Sequence, residues 1–496
     1  MMSFKKNFYK SLGLQKNATQ AEIQKAYRKA ARHLHPDVNV EAGATEHFIH
    51  IKEAYETLSN PRKRQTYDND FETDILASLP IRIETQFSRS TLYHSSEPQY
   101  IYALISMDIL QNVKQASSPP PPLNIALILD TSTSMQGTRL EIVKASAIEL
   151  LRQLRPQDMA SIIAFDDRAF AVLEANSHIN IRHIESRIHA LQANGGTEIF
   201  KGLEAGFSEL QRFYQPRYTN QLILITDGHT YGDEETSLKL ADKAAEQDIG
   251  ITCLGIGGEW NDKLLDELAA RTGGYCAYVQ KPRDIYHLLT NKINNLRKTL
   301  AENINFHFEL GPGVDLQSAL RLKPEASILP TKTPLRLGSI PGQSQQQILL
   351  ELIIQPLPKA VQQALLITGE LTFDIPTEDK SYQLPFYLAR SVESASLPET
   401  PPVAIRKALS SLNLYRMQEQ AQHEISQGEY NQAQQRLKNV ATQLLSQGED
   451  KLASAIFSEV EHLQTTHSIS AEGRKRIKYG TRALLLPDGK KQDSNI

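Results

Sequence analysis

Residues 123–129, LNIALIL, form an apolar run broken only by Asn124, and they lead directly into the polar loop DTSTSM at 130–135. A run of this length closed by a turn predicts a strand buried on both faces. Its end places Asp130, Ser132 and Ser134 at alternate positions. The same order, apolar run and then polar loop, returns at LILITDGHT (222–230) and MASIIAFDD (159–167). GITCLGIG (250–257) and YCAYVQ (275–280) supply further short runs, with amphipathic helical segments between them. Strands that alternate with helices predict a doubly wound α/β domain over 123–297. In such a sheet the loops at the carboxyl ends of the strands gather, and ligands bind there. NGGTEIFKGL (194–203) puts Thr197 behind two glycines at such a strand-to-helix transition, and Asp227 with Gly228 ends another strand.

The sequence on either side of this domain has a different period. In LPIRIETQF (79–87) the residues Ile81, Ile83, Thr85 and Phe87 share one face of a half-buried strand, and Ile304, Phe306, Phe308 and Leu310 do the same in NINFHFEL (303–310). Strands at 75–122 and 298–392 are therefore expected to form one β-sandwich into which the α/β domain is inserted, with SSPPPP (117–122) at the junction. SLPETPPV (396–403) is a linker. Beyond it lies a C-terminal α-helical region, read as a helical hairpin over 402–467 that carries the stripe Ala433, Leu437, Ala441, Leu444, followed by a basic tail at 468–496. One hairpin falls short of the roughly three repeats of a stable solenoid, so it is expected to pack on the sandwich.

Composition removes several classes of function. A chain of 496 residues with net charge -3 has no general attraction for nucleic acid or anionic membrane. No stretch approaches the roughly 18 apolar residues of a membrane span, and the first residues lack the apolar run of a signal peptide, so a cytoplasmic protein is expected. Cys253 and Cys276 form no CxxC pair and are read as core residues of strands. Phosphate-loop, nucleophile-elbow and HExxH patterns are missing, and Asp166 with Asp167 reads as a solvated strand end. The expectation is a protein that is not an enzyme.

The first seventy residues are helical. Thr19 with Glu22 forms a capping box, Ile23, Tyr27, Ala30 and Leu34 follow as a core stripe, and Lys25, Arg28, Lys29 and Arg32 lie on the opposite face. Pro36 biases His35 away from the helical region, so the helix ends near Leu34 and His35, Pro36 and Asp37 fall in a loop. FYKSLGL (8–14), AEIQKAYRKAARHLHPDVN (21–39) and HFIHIKEAYETLSNPRKRQTYD (47–68) resemble the all-α J domain of the DnaJ co-chaperone family, assigned to 5–70. The resemblance implies that His35, Pro36, Asp37 and the basic face formed by Lys25, Arg28, Lys29 and Arg32 dock on a DnaK-type heat-shock-70 chaperone and stimulate its ATPase. The neighbouring His33, His47 and His50 are not read as metal ligands. The Gly/Phe-rich linker and CxxC repeats of general-purpose DnaJ proteins are absent, which implies a specialised adaptor.

Residues 123–297 resemble a von Willebrand factor type A domain, and Asp130, Ser132, Ser134, Thr197 and Asp227 match each element of its metal-ion-dependent adhesion site. A carboxylate with two hydroxyls suits magnesium, a hard cation with octahedral oxygen coordination. By the resemblance Ser132 and Ser134 ligate Mg2+ (or Mn2+ or Ca2+) directly, Thr197 directly or through water, and Asp130 and Asp227 mainly through water. A carboxylate of a protein client would complete the sphere. The expected protein is a co-chaperone adaptor that captures a client through the metal and delivers it to the chaperone, with no nucleic-acid or membrane partner. The alternative is a scaffold or assembly subunit of a metal-chelating or AAA-type ATPase complex.

Overall fold

A computed structural model describes residues 8–12, 14, 18–34, 44–61, 63–64, 80–110, 120–230, 232–342, 344–357, 361–378, 380–394 and 399–486. The chain divides into two units, residues 1–82 and 83–496.

The first unit contains helices α1 (Phe8–Ser11), α2 (Gln20–Leu34) and α3 (Ala44–Leu58). The capping box at the start of α2 is formed: Thr19 N donates to Glu22 Oε2 at 2.7 Å, and Glu22 N donates to Thr19 Oγ1 at 3.3 Å. One face of α2 turns inward. Ile23 is fully buried with Phe8, Leu12, Ile51 and Leu58, and Tyr27 stacks on Tyr55 with ring centroids 4.1 Å apart.

The second unit holds three sheets. Strands β1 (Ile81–Phe87), β2 (Leu92–Tyr93) and β3 (Gln99–Ile109) precede the α/β domain. Within that domain lie β4 (Leu123–Asp130), α4 (Thr138–Gln153), β5 (Met159–Phe165), β6 (Ala169–Asn176), α5 (Ile181–His189) and α6 (Ile199–Gln211). They are followed by β7 (Thr219–Thr226), α7 (Glu234–Glu246), β8 (Gly250–Ile256), α8 (Asp262–Arg271), β9 (Cys276–Val279) and α9 (Asp284–Arg297). The sheet order is β6-β5-β4-β7-β8-β9, parallel except for β6. All eight residues of β4 are buried because alternate residues meet helices on opposite faces. Ile125, Leu127 and Leu129 pack with α4 and α9, while Ala126 and Ile128 pack with α6, α7 and α8. Truncating such a side chain, as in Ile128→Ala, typically costs about 2–5 kcal/mol. Cys253 and Cys276 are register neighbours on β8 and β9, both free thiols in the core.

After α9 the chain returns to sheet. Strands β10 (Thr299–Leu310), β11 (Val314–Lys323), β12 (Ser327–Leu329), β13 (Leu335–Pro341), β14 (Gln346–Ile354), β15 (Gln363–Ile375) and β16 (Lys380–Glu393) join the first three in two five-stranded sheets. Their orders are β1-β3-β14-β11-β12 and β13-β10-β15-β16-β2, so each sheet draws strands from both sides of the insertion. Arg321, 1% exposed on β11, ties the sandwich to the α/β domain: its guanidinium donates to the carbonyls of Gly273, Gly274 and Leu337. Four bonds to backbone oxygen, the last to Glu325, satisfy a charge that has no water around it.

Four helices close the chain: α10 (Val403–Ser426), α11 (Tyr430–Ser446), α12 (Asp450–Thr466) and α13 (Ala471–Ala483). The segment read as a basic tail thus contributes the fourth helix of the region. Ile405, Ala408 and Leu412 of α10 cover Leu104, Leu320, Leu322 and Leu349 of the first sheet. The cations of α13 face the α/β domain. Lys475 donates to Asp262 and to Trp260 O, Lys478 to Asp262 at 2.5 Å and Asp266 at 2.8 Å, and Arg482 to Asp266 and to Cys276 O, each at 2.7 Å. Asp262 and Asp266 lie in α8, and Asp262, as its first residue, also sits at the positive end of the helix dipole. The charges of Lys475, Lys478 and Arg482 are thus neutralised inside their own chain.

Candidate functional site

The polar loops expected to converge do so at the carboxyl ends of β4 and β7, in the middle of the sheet. β4 ends at Asp130, and Thr131 N continues the ladder onto Phe165 O at 2.7 Å. The chain then turns on itself: Ser132 N donates to Asp130 Oδ1 at 2.8 Å, a short helical turn covers Thr133–Met135, and buried Met135 anchors it beneath. This local side-chain-to-backbone bond is the usual way an aspartate nucleates a turn. It leaves Ser132 Oγ and Ser134 Oγ 3.0 Å apart. Ser134 Oγ donates to Asp227 Oδ1 at 2.6 Å, which joins the β4 loop to the end of β7.

Thr197 arrives on a third loop. Asn194 N donates to Thr131 O at 2.8 Å, and both Thr133 N and Thr133 Oγ1 donate to Gly195 O, at 3.2 and 2.9 Å. Thr197 itself lies against Gly228, where a Cβ would come within 2.6 Å of its Oγ1. Only glycine after Asp227 lets the threonine reach this position. The five residues of the expected metal site therefore lie on three adjoining loops. Asp166 and Asp167, at the end of β5, flank the Thr197 loop; Glu198 N donates to Asp166 O at 2.9 Å.

Two further residues belong to this constellation and escaped the sequence reading. Thr226 Oγ1 donates to Asp130 Oδ2 and accepts from Gly228 N at 3.1 Å, so it fixes the second oxygen of Asp130 and the turn after Asp227 together. Arg139, in the first turn of α4, pairs with Asp227 Oδ2 at 2.5 Å and reaches Ser134 O at 3.3 Å. Thr226 reads in sequence as one more β-branched strand residue. Arg139 reads as an ordinary exposed helical arginine.

Asp130 and Asp227 are both essentially buried, at 0% and 1% exposure. Burial pushes the Asp130 carboxyl up to about 6 against the hydrogen bonds from Ser132 and Thr226 that favour its charge, with Asp227 adding to the rise. A buried carboxylate so placed gains from a neighbouring cation. Neighbouring ligands of an octahedral ion bound at about 2.0–2.1 Å are separated by roughly 2.9–3.0 Å, the spacing found between the two serine oxygens. Among the described residues no group of three or more His, Cys, Asp or Glu side chains is poised to hold a metal. The donors here are hydroxyls and two carboxylates, a hard oxygen set that fits magnesium or manganese better than zinc.

In the N-terminal unit Lys25, Arg28 and Lys29 are exposed on α2, opposite buried Ile23. The backbone of Arg32 lies in the same helix. Its side chain, and His35, Pro36 and Asp37, lie outside the described residues.

Family models match three parts of the sequence: a DnaJ domain at 7–68, a von Willebrand factor type A domain at 124–291, and an Sll0103-like C-terminal alpha-helical domain at 403–487. The chain joins a J domain to a type A domain. The third match runs through the hairpin and into the segment read as a tail, in agreement with the four-helix arrangement. An uncharacterized protein, sll0103 of Synechocystis sp., is 28% identical over 380 residues, covering 74% of this chain and 89% of that protein. Chaperone protein DnaJ of Bacillus licheniformis is 53% identical over 70 residues, 14% of this chain, and the match spans 19% of the DnaJ protein's length. Among solved structures, a von Willebrand factor type A protein from Catenulispora acidiphila superposes with a TM-score of 0.64 at 13% identity, covering 81% of this chain and 96% of that one. The ArnB paralog VWA2 from Sulfolobus acidocaldarius gives 0.50 at 11% identity, covering 82% and 99%. These two likenesses are of fold. Among the described residues no helix is long and apolar enough to cross a membrane.

Proposed function

We propose that this protein is a non-enzymatic, cytoplasmic co-chaperone adaptor. Its J domain docks on a DnaK-type chaperone and stimulates ATP hydrolysis there, while its type A domain captures a protein partner through a divalent cation. The observation that carries the second half is the convergence of Ser132, Ser134 and Asp227 within hydrogen-bonding distance at the end of two buried strands, with Asp130 fixed behind them. Ser132 and Ser134 would hold the ion directly, Thr197 would close its third side, and Asp130 and Asp227 would neutralise its charge. When bound, the ion supplies an electrophilic point for a carboxylate of the partner. Thr226 and the turn at Ser132 keep Asp130 oriented whether or not a partner is present.

On the other unit, the exposed lysines and arginine of α2 would steer toward an acidic surface, a salt-dependent contribution mainly to association rate. His35, Pro36 and Asp37 would supply the specific contact. The test is a chaperone ATPase assay with the full chain. Wild type should stimulate hydrolysis, His35→Gln should not, and Asp130→Ala should stimulate as wild type does. Equal stimulation by His35→Gln would remove the chaperone half. A long-lived stoichiometric complex with an AAA-type ATPase, indifferent to the DnaK-type chaperone, would favour the scaffold alternative.

A further inference from the structure

Arg139 occupies a place where its charge is a liability unless used. It is the second residue of α4, at the positive end of the helix dipole, where a cation is disfavoured. The strain is offset by its ion pair with buried Asp227 and by a bond to Ser134 O, both through Nη1. The rest of the guanidinium lies over the turn after β8, where a side chain on Gly257 would approach Nη2 at 3.4 Å. The arginine side chain stays 41% exposed. It is thus a fixed positive charge that touches the metal-site carboxylate on one side and solvent on the other.

The charge balance gives this position its meaning. Within the bonded set around Ser134, Asp130 and Asp227 contribute two negative charges and Arg139 one positive, with Asp166 and Asp167 outside it on the loop that flanks Thr197. A divalent ion raises the sum to plus one, and one carboxylate from outside returns it to zero. Without the arginine, the metal-loaded site would already be neutral. We propose that Arg139 is the specificity-determining residue of the type A site: it supplies the surplus charge that makes the metal-loaded site select an acidic side chain of its partner. This rests on the metal reading above and deepens it. The arginine acts on the ligand through space and beside the ion, so its loss should leave the ion bound.

The test uses the full chain, Mn2+ as the metal and acetate as the carboxylate probe, both followed by water-proton relaxation. Wild type, Arg139→Gln, Arg139→Lys and Asp130→Ala are compared. Arg139→Gln should bind Mn2+ at least as tightly as wild type, since a like charge near the ion is gone, and should bind acetate about 5- to 10-fold more weakly once loaded. Arg139→Lys should restore acetate binding, because charge is the property at issue. Unchanged acetate affinity in Arg139→Gln would overturn the proposal and leave the metal reading intact. Parallel loss of Mn2+ and acetate would also overturn it, reducing Arg139 to a support for Asp227. If wild type takes up no more Mn2+ than Asp130→Ala, both readings fall.

Discussion

The type A domain carries two pairs of aspartates, Asp130 with Asp227 and Asp262 with half-buried Asp266, that are chemical opposites. At the carboxyl end of the sheet Asp227 pairs with Arg139, while Asp130 is held by Ser132 and Thr226 and, among the described residues, has no cation paired with it. At α8, Asp262 and Asp266 face three, Lys475, Lys478 and Arg482, with Arg474 a fourth at 3.4 Å. The consequences differ in sign. Burial pushes Asp130 up to about 6. Asp262 is also desolvated by its surroundings, yet Lys478 and Lys475 hold it well below the usual carboxylate range. Lys475 Nζ also lies 4.2 Å from the centre of the Trp260 ring, and Arg482 lies 4.2 Å from that of Tyr479. A seam whose cations match or exceed its carboxylates has nothing left to bind, and it fastens the C-terminal helices to the domain. A pair short of one cation can gain from another, and here the part-exposed Arg139 links it to solvent.

The largest effect expected from this contrast is at the seam. Asp262→Ala strands the fully buried Lys475 and leaves Lys478 with Asp266 alone, and breaking a buried pair in this way costs about 3–5 kcal/mol. Trp260, the single tryptophan of the chain, lies in the seam and should report the loss as an earlier fluorescence transition in denaturant. A cost below about 1 kcal/mol would mean that the seam behaves as a solvated pair. Next comes the deficient pair, which should respond to metal. At about a hundredfold excess over its Kd, Mg2+ should stabilise wild type by about 2.7 kcal/mol and Asp130→Ala by nothing, measured as the shift in thermal midpoint. Equal shifts in both proteins would place the ion elsewhere.

How much of this was legible in the sequence follows from the range of the interactions. Asp130, Ser132 and Ser134 could be read because a strand and its turn impose alternation on neighbours. Ile304, Phe306, Phe308 and Leu310 read as one strand face for the same reason; the first three are buried, and Leu310, the last residue of β10, is 36% exposed. The pairing of β3 with β14 was not legible, since register between segments more than 200 residues apart leaves no local pattern. The seam was least legible. RKRIK reads only as part of a basic tail that either packs on the rest of the chain or meets an acidic partner, and Asp262, which pairs with Lys475, is 213 residues away. Arg139 and Thr226 went unread because their role depends on partners in other loops, Asp227 for one and Asp130 for the other.

Glu302 extends the contrast to a carboxylate whose charged neighbours share its own sign. It accepts from Thr219 Oγ1 at 3.0 Å, while Asp374 and Asp248 add to the effect of burial and push it up to about 7. Arg336 pairs with Asp248 at 3.7 Å. Between about 4.5, the ordinary glutamate value, and about 7, the folded protein keeps a proton that the unfolded chain releases. Stability should therefore fall as pH rises through that window, by about 2 kcal/mol. Glu302→Gln keeps an acceptor for Thr219 and should flatten the profile in denaturant titrations at pH 5 and pH 8. An unchanged slope would assign it to other groups.

The smallest effect tests whether burial or mere proximity separates these sites. Lys239 and Glu235 pair at 2.6 Å on the surface of α7, as close as the contacts of the seam, but their side chains are 69% and 82% exposed. Water solvates both partners whether or not they meet, so the pair replaces one good environment with another. Lys239→Ala should leave the thermal midpoint where it was. If it cost as much as Asp262→Ala, short distance alone would explain the seam and the argument from desolvation would fail. If it costs nothing, the difference between the two pairs is the absence of water around Asp262, and the same absence around Asp130 is what would give a divalent ion its advantage in the proposed site.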